Sequence, residues 1–136
     1  MQDHIKKEKS IMSYQLIKEF NRNNWVKLIG KLTVSDFLEL QALARLSLER
    51  FGQFRVLVEL EDFQGWSKET GWENTFFLEE NGEGISKLAF VGDERWKVEI
   101  YMFTGKPMRQ MAIEFFTQDQ FDQARAWLSE ENLPAM

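Results

Sequence analysis

The sequence contains no cysteine and a single histidine, His4. Without thiols the chain forms no disulfide, no thiolate nucleophile, no zinc–thiolate centre and no cysteine-ligated iron–sulfur cluster. The lone histidine, set in a charged N-terminal stretch, removes Ser–His and Cys–His catalysis and multi-histidine metal sites. No cofactor is therefore expected, and the chain reads as a non-enzyme. Nor does the chain hold the ~18 uninterrupted apolar residues of a membrane-spanning helix, or the long apolar core of a signal peptide. A cytoplasmic location is the expectation, and cysteine-free composition suits a reducing compartment. Positive charge is also scarce, with 17 Lys+Arg against 22 Asp+Glu and a net charge of -5. Phosphate backbones and anionic lipid surfaces are bound through clustered Lys and Arg, so nucleic acid is not an expected partner.

What the chain has in excess is aromatic: 12 Phe, 5 Trp and 2 Tyr. At 136 residues, 43% hydrophobic and 29% charged, it can bury one core without staples and is too short for two comfortable domains. Residues 1–12, MQDHIKKEKSIM, carry mixed charge without hydrophobic period and read as a flexible arm. Residues 13–133 read as a single domain without repeat or linker.

Within that domain, β-prone runs from Tyr14 to Phe20 and from Trp25 to Leu32 flank the polar cluster Asn21-Arg22-Asn23-Asn24, which predicts an N-terminal hairpin. Thr33 stands as an N-cap with Asp36 three residues on. Phe37, Leu40, Ala44, Leu48 and Phe51 then follow at helical spacing, and Gly52 supplies a stop. Phe54 to Leu60 reads as a strand buried on both faces, as in a parallel sheet. Glu61 to Ser67 reads as a loop, and Trp72 with Phe76 suggests a second helix closed by Asn81-Gly82-Glu83-Gly84. Lys87 to Val91 is a further buried strand, whereas Glu94 to Thr104 has strand-prone residues at helix-like spacing. Gly105-Lys106-Pro107 breaks the chain. Met111 to Phe116 then reads as the last strand, before a capping box at Thr117 and Gln120 opens a helix with Phe121, Ala124 and Leu128 on one face. Strands alternating with helices after a hairpin predict an α/β fold with a mixed, largely parallel sheet and crossover helices.

Three stretches carry a resemblance. Glu59-Leu60-Glu61-Asp62-Phe63-Gln64-Gly65-Trp66, then Lys87-Leu88-Ala89-Phe90-Val91-Gly92-Asp93-Glu94-Arg95-Trp96, and finally Phe115-Phe116 leading to Ala124-Arg125-Ala126-Trp127-Leu128, together resemble the SpoIIAA-like family. These are small bacterial proteins related to STAS domains, with a fold also compared with Sec14-type lipid carriers. The resemblance implies a STAS-like α/β sandwich in which Glu94 to Phe103 is helical. It also implies a test of the switch that STAS anti-sigma factor antagonists carry in an Asp-Ser-Ser-Gly-like loop. Here Asp62-Phe63-Gln64-Gly65 occupies that place, and Gln64 has no hydroxyl to receive phosphate. Ser67 is the nearest displaced acceptor, and its ordinary role would be a cap or loop hydroxyl.

Other constellations carry less. Glu59, Glu61 and Asp62 gather at a strand end where α/β sheets bind ligands, but successive strand residues point to opposite faces and do not converge on a cation. Gly82-Glu83-Gly84-Ile85 precedes a strand and reads as a turn, not a phosphate loop. Trp25-Val26-Lys27 and Trp96-Lys97 mix rings with cations, as single-strand binders do, yet the chain is acidic.

The surplus aromatics concentrate on the two middle helices, around more than one stripe, and such helices need cover beyond the sheet: another helix, a second subunit or a ligand. The expected ligand-binding cleft comprises Trp66, Trp72, Phe76, Phe77, Trp96, Ile100 and Phe103. Its occupant is expected to be a fatty acid or other lipid, by resemblance to the carrier fold, or a homodimer partner; filling of the core is the alternative use of these rings. The rival reading is a STAS-type protein-interaction module acting through the loop of Asp62, Gln64, Gly65 and Ser67.

Overall fold

A computed structural model describes residues 13–20, 23–72, 84–104 and 112–130 of the 136-residue chain. The arm at 1–12, the helix expected after Trp72 with Phe76 and Phe77, and the break at Gly105-Lys106-Pro107 lie outside the described residues. Five strands form one sheet in chain order: β1 (Tyr14–Phe20), β2 (Asn23–Leu32), β3 (Phe54–Trp66), β4 (Ile85–Val91) and β5 (Ala112–Phe116). β1 and β2 are the antiparallel N-terminal hairpin, and every later pairing is parallel. Three helices complete the described residues: α1 (Val34–Phe51), α2 (Lys97–Thr104), entered through a 3₁₀ turn at Glu94–Trp96, and α3 (Phe121–Ser129), entered through another at Gln118–Gln120. The ambiguous segment after Asp93 is thus helical, as the family resemblance implies and as residue propensity alone does not.

The start of α1 departs from the capping box expected there. Thr33 Oγ1 accepts the Asp36 N–H at 3.1 Å. The Asp36 carboxylate, however, takes the N–H and hydroxyl of Ser13 at 2.7 and 2.6 Å, tying the first strand to the helix. At the other end Gly52, at φ +76°, donates its N–H to the Leu48 carbonyl.

A parallel sheet whose strands follow chain order is built from crossovers that all advance in one direction. Right-handed connections then deliver their helices to the same face. α1 and α2 share that face: Phe37, Leu40, Ala44 and Leu48 of α1 and Ile100 and Tyr101 of α2 pack on Val26, Leu28, Phe54, Val58, Leu88, Phe90 and Ile113. Ile100 is 1% exposed. It belongs to this core and not to a ligand cleft, because its place in α2 points it at the sheet. A fully buried side chain such as Ile100 contributes about 1.5–3 kcal/mol by burial.

Among the described residues, the opposite face receives the C-terminal helix alone. Ala124 and Leu128 of α3 close over Leu57, Ala89 and Val91, flanked by Trp25 and Phe116. Lys87 is 2% exposed beneath that helix. Its Nζ donates to the Trp127 and Glu130 carbonyls at 2.7 and 2.9 Å and lies 4.8 Å from the Trp127 ring centre. Arg55 donates to the Leu128 carbonyl at 2.8 Å. These cations add to the capping of the last carbonyls, of which that of Trp127 also accepts the Glu130 N–H at 3.3 Å, and stand at the negative end of the helix dipole. Burial pushes the Lys87 ammonium below its ordinary range, and the Arg55 charge adds to the shift while Glu130 opposes it.

Two predictions follow from these contacts. Lys87→Met keeps the stem, removes the charge and takes the lysine donor from the Trp127 and Glu130 carbonyls, and should lower unfolding free energy by about 1–3 kcal/mol in urea titration; a loss under about 0.5 kcal/mol would contradict the anchoring role. Both tyrosines should also titrate late. Burial, the bond donated to Glu39 at 2.7 Å and the charges of Glu39 and Asp36 push Tyr14 up to about 12. Tyr101 is raised by burial and by Glu114, against the N–H that Phe115 donates to its oxygen. Raised folded values mean that this stabilisation is complete below the unfolded value near ~10 and is lost as pH climbs through the folded ones. Phenolate absorbance of the native chain should therefore rise well above pH ~10, and that of the urea-unfolded chain near it; coincident curves would refute the burial account.

Candidate functional site

The site is built by the far end of β3. Pairing with β4 stops at Glu59 opposite Val91, but β3 runs on beside β2 as far as Trp66 opposite Leu32. The loop expected from Glu61 to Ser67 is therefore mostly strand. Charged residues and a glycine look like a strand end, yet here they form a bulge. Between the pairs Ile29–Glu61 and Lys31–Gly65 the register shifts, Asp62 sits at φ +49° and Gly65 at φ +93°. A bulge bends a strand without ending it and re-aims its side chains. Gly65 is required twice, for its positive φ and because a Cβ there would stand 3.3 Å from the Trp96 indole.

The re-aimed side chains meet α2 and the start of α1 in a continuous run of rings. Phe63 packs edge-on against Trp96 at 4.9 Å and Trp66 at 5.3 Å, and Trp66 reaches Phe103 at 5.1 Å. Phe103 contacts Phe37 at 5.2 Å and Trp72 at 5.9 Å. The Trp72 indole donates to the Ser67 carbonyl at 3.0 Å. The Trp66 N–H is buried without a hydrogen-bond partner among the described residues. Where the run reaches the surface, Trp66, Met102, Phe103 and Glu99 line a shallow groove of about 320 Å³. Met102 is 75% and Val98 67% exposed. Of the expected cleft residues, the structure brings together Trp66, Trp72, Trp96 and Phe103. It assigns Ile100 to the core, and Phe76 and Phe77 lie outside the described residues. The expectation did not include Glu99, Met102 and Phe63. The spacing of Glu99, Met102 and Phe103 at i, i+3 and i+4 was the signal for a shared helical face.

A second, polar cleft of about 430 Å³ opens at the carboxyl ends of the strands, between Asp62, Phe63 and Gln64 of the β3 overhang, the turn from Gly92 to Trp96, and Thr117 and Gln118. This edge is where open α/β sheets bind ligands. The four residues of the expected switch loop are separated by the bulge. Asp62 and Gln64 line this cleft, Gly65 packs under Trp96, and Ser67 turns to the start of α1. The Ser67 hydroxyl donates to Glu69, whose carboxylate also accepts the Val34 N–H at 3.1 Å. Those two bonds hold the Glu69 carboxyl below its ordinary range, the Ser67 bond contributing most.

The three strand-end carboxylates have different neighbours. Glu59 accepts the Trp25 indole N–H and the Gln118 amide, each at 3.1 Å. Glu61 pairs with Lys27 at 2.8 Å and, through that bond first, raises the lysine pKa. Asp62 alone faces the cleft. Among the described residues no group of three His, Cys, Asp or Glu side chains is placed to hold a metal ion, and no helix is long and apolar enough to cross a membrane.

Comparison with known proteins places this geometry. No curated protein matches the chain. Among solved structures, it is similar to an uncharacterised protein of the DUF3478 family with a SpoIIAA-like fold, from Shewanella loihica PV-4. The two share 18% identity and a TM-score of 0.66 over 87% of this chain and 95% of that one. The SpoIIAA-like family model matches residues 24–129, from the second strand through the final helix, including the β3 overhang, α2 and both clefts. With the family model matching residues 24–129 of its 136, the chain belongs to the SpoIIAA-like family.

Proposed function

We propose that the chain is a non-catalytic binding module that holds a small apolar molecule in the groove of Trp66, Met102 and Phe103. The observation that carries this reading is the run of rings from Phe37 through Phe103 and Trp66 to Phe63 and Trp96, which joins core to surface and ends in exposed apolar side chains, with Glu99 the one charged residue of the groove lining among the described residues. Rings fixed by their neighbours give a ligand apolar area at little cost in ordering, and a flexible thioether adapts to its shape. The groove's volume lies at the lower end of the ~300–1,000 Å³ of small-molecule sites, which favours a compact ligand or a single alkyl chain. The expected cleft between two middle helices is accordingly narrowed to the seam between α2 and the β3 overhang. Support for a non-enzymatic role comes from the carboxylates at the strand end: Glu59 and Glu61 are engaged by Trp25, Gln118 and Lys27. A cytoplasmic setting is part of the reading.

A second reading is a protein-interaction module of the STAS type, favoured by the exposed Asp62 and Gln64 at the mouth of the polar cleft. It would work without the usual phosphate switch, since Gln64 lacks a hydroxyl and the Ser67 hydroxyl is bonded to Glu69. A defined protein partner whose binding disappears in Ser67→Glu, at unchanged stability, would favour it.

The groove is tested with 1-decanol as an uncharged probe, followed by tryptophan fluorescence and thermal stability. Binding should raise the melting temperature. Met102→Glu, at a position exposed enough to leave stability within about 0.5 kcal/mol, should weaken binding about tenfold or more. An unchanged affinity in that variant, or no binding by the parent chain, would sink the proposal.

A further inference from the structure

The groove's single charged group decides which end of an amphiphile it takes. Glu99 shares a face of α2 with Met102 and Phe103 and lines the groove with them and Trp66. Among the described residues it has neither an ion-pair nor a hydrogen-bond partner; Arg95, one turn earlier, lies over the Trp96 ring at 4.9 Å instead. The carboxylate therefore lines the groove with the Trp66 and Phe103 rings and, among the described residues, has no cation paired with it. A ligand carboxylate placed there would meet Glu99 and a chain of net charge -5, so the fatty acid expected from the carrier fold is the wrong amphiphile for this groove. An alkylammonium head meets complementary chemistry. Its charge lies near Glu99, its methyl or methylene groups lie on the Trp66 and Phe103 faces, whose quadrupoles attract cations, and its tail follows Met102 and Val98.

We propose that the groove recognises the cationic head of a small alkylammonium amphiphile, with Glu99 as its counter-charge and the Trp66 and Phe103 rings as its platform. This rests on the apolar-groove reading above and adds the sign of the ligand's charge.

The test compares three probes of one chain length on the full chain: decyltrimethylammonium, 1-decanol and decanoate, titrated as monomers by calorimetry. The cation should bind about tenfold or more tighter than decanoate. Glu99→Gln should shrink that ratio to about two- to threefold and leave decanol affinity unchanged. Glu49→Gln, a carboxylate on exposed α1 surface, controls for general attraction to an acidic protein and should leave the ratio intact. Equal affinity for cation and decanoate, or a preference that survives Glu99→Gln or falls equally in Glu49→Gln, overturns the charge assignment while decanol binding upholds the groove. Failure of all three probes to bind overturns both.

Discussion

Strand β3 outruns β4, and the rest of the candidate site depends on how the chain manages the excess. Beyond Glu59 the strand keeps its bonds to β2 but has no strand among the described residues on its other side. An unpaired strand edge exposes backbone donors and acceptors to other chains. Here the bulge at Asp62 and Gly65 twists the overhang, and aromatic side chains pack across its surface toward α2. The same packing that protects the overhang creates the groove, because Trp66 is held between Phe63, Trp96 and Phe103 with one side left to solvent. Protection and binding surface are one arrangement seen from two sides.

The other face of the sheet shows what the one-directional crossovers cost. With α1 and α2 on one side, a nine-residue helix is what covers the other among the described residues. It is held there by apolar contacts and by Lys87 and Arg55, which meet its last carbonyls. A buried cation has a desolvation cost, and its two carbonyl partners and the Trp127 ring offset that cost only while all are in place. Toward β2 the helix gives way to polar pairing, with Lys27 on Glu61 and with Trp25 and Gln118 on Glu59. Carboxylates that look catalytic at a strand end therefore have structural partners.

Much of the fold was legible in local pattern. Thr33 and Gly52 bracketed α1, the Asn21 to Asn24 cluster marked the hairpin, and continuous apolar runs marked β3 and β4 as strands covered on both sides. The segment after Asp93 was not legible by pattern, because α2 is apolar where it meets the sheet and also where it meets solvent at Val98 and Met102. The extent of β3 was hidden for a different reason. Acidic residues and glycine ordinarily end strands, and only the pairing partner shows that Asp62 and Gly65 bend this one. The candidate site was legible as a surplus of rings but not as a surface. Spacing cannot separate Ile100, buried in the core, from Phe103 one turn later at the groove, nor show that Glu99 has no ion-pair partner among the described residues.

The account's central claim is that Trp66, delivered by the bulged overhang, and Phe103 of α2 are energetically joined and together form the groove wall. A double-mutant cycle of Trp66→Leu and Phe103→Leu, read by chemical denaturation, tests it. A coupling of about 0.5–1.5 kcal/mol is the result the ring contact predicts, while changes that add to within about 0.3 kcal/mol would contradict it.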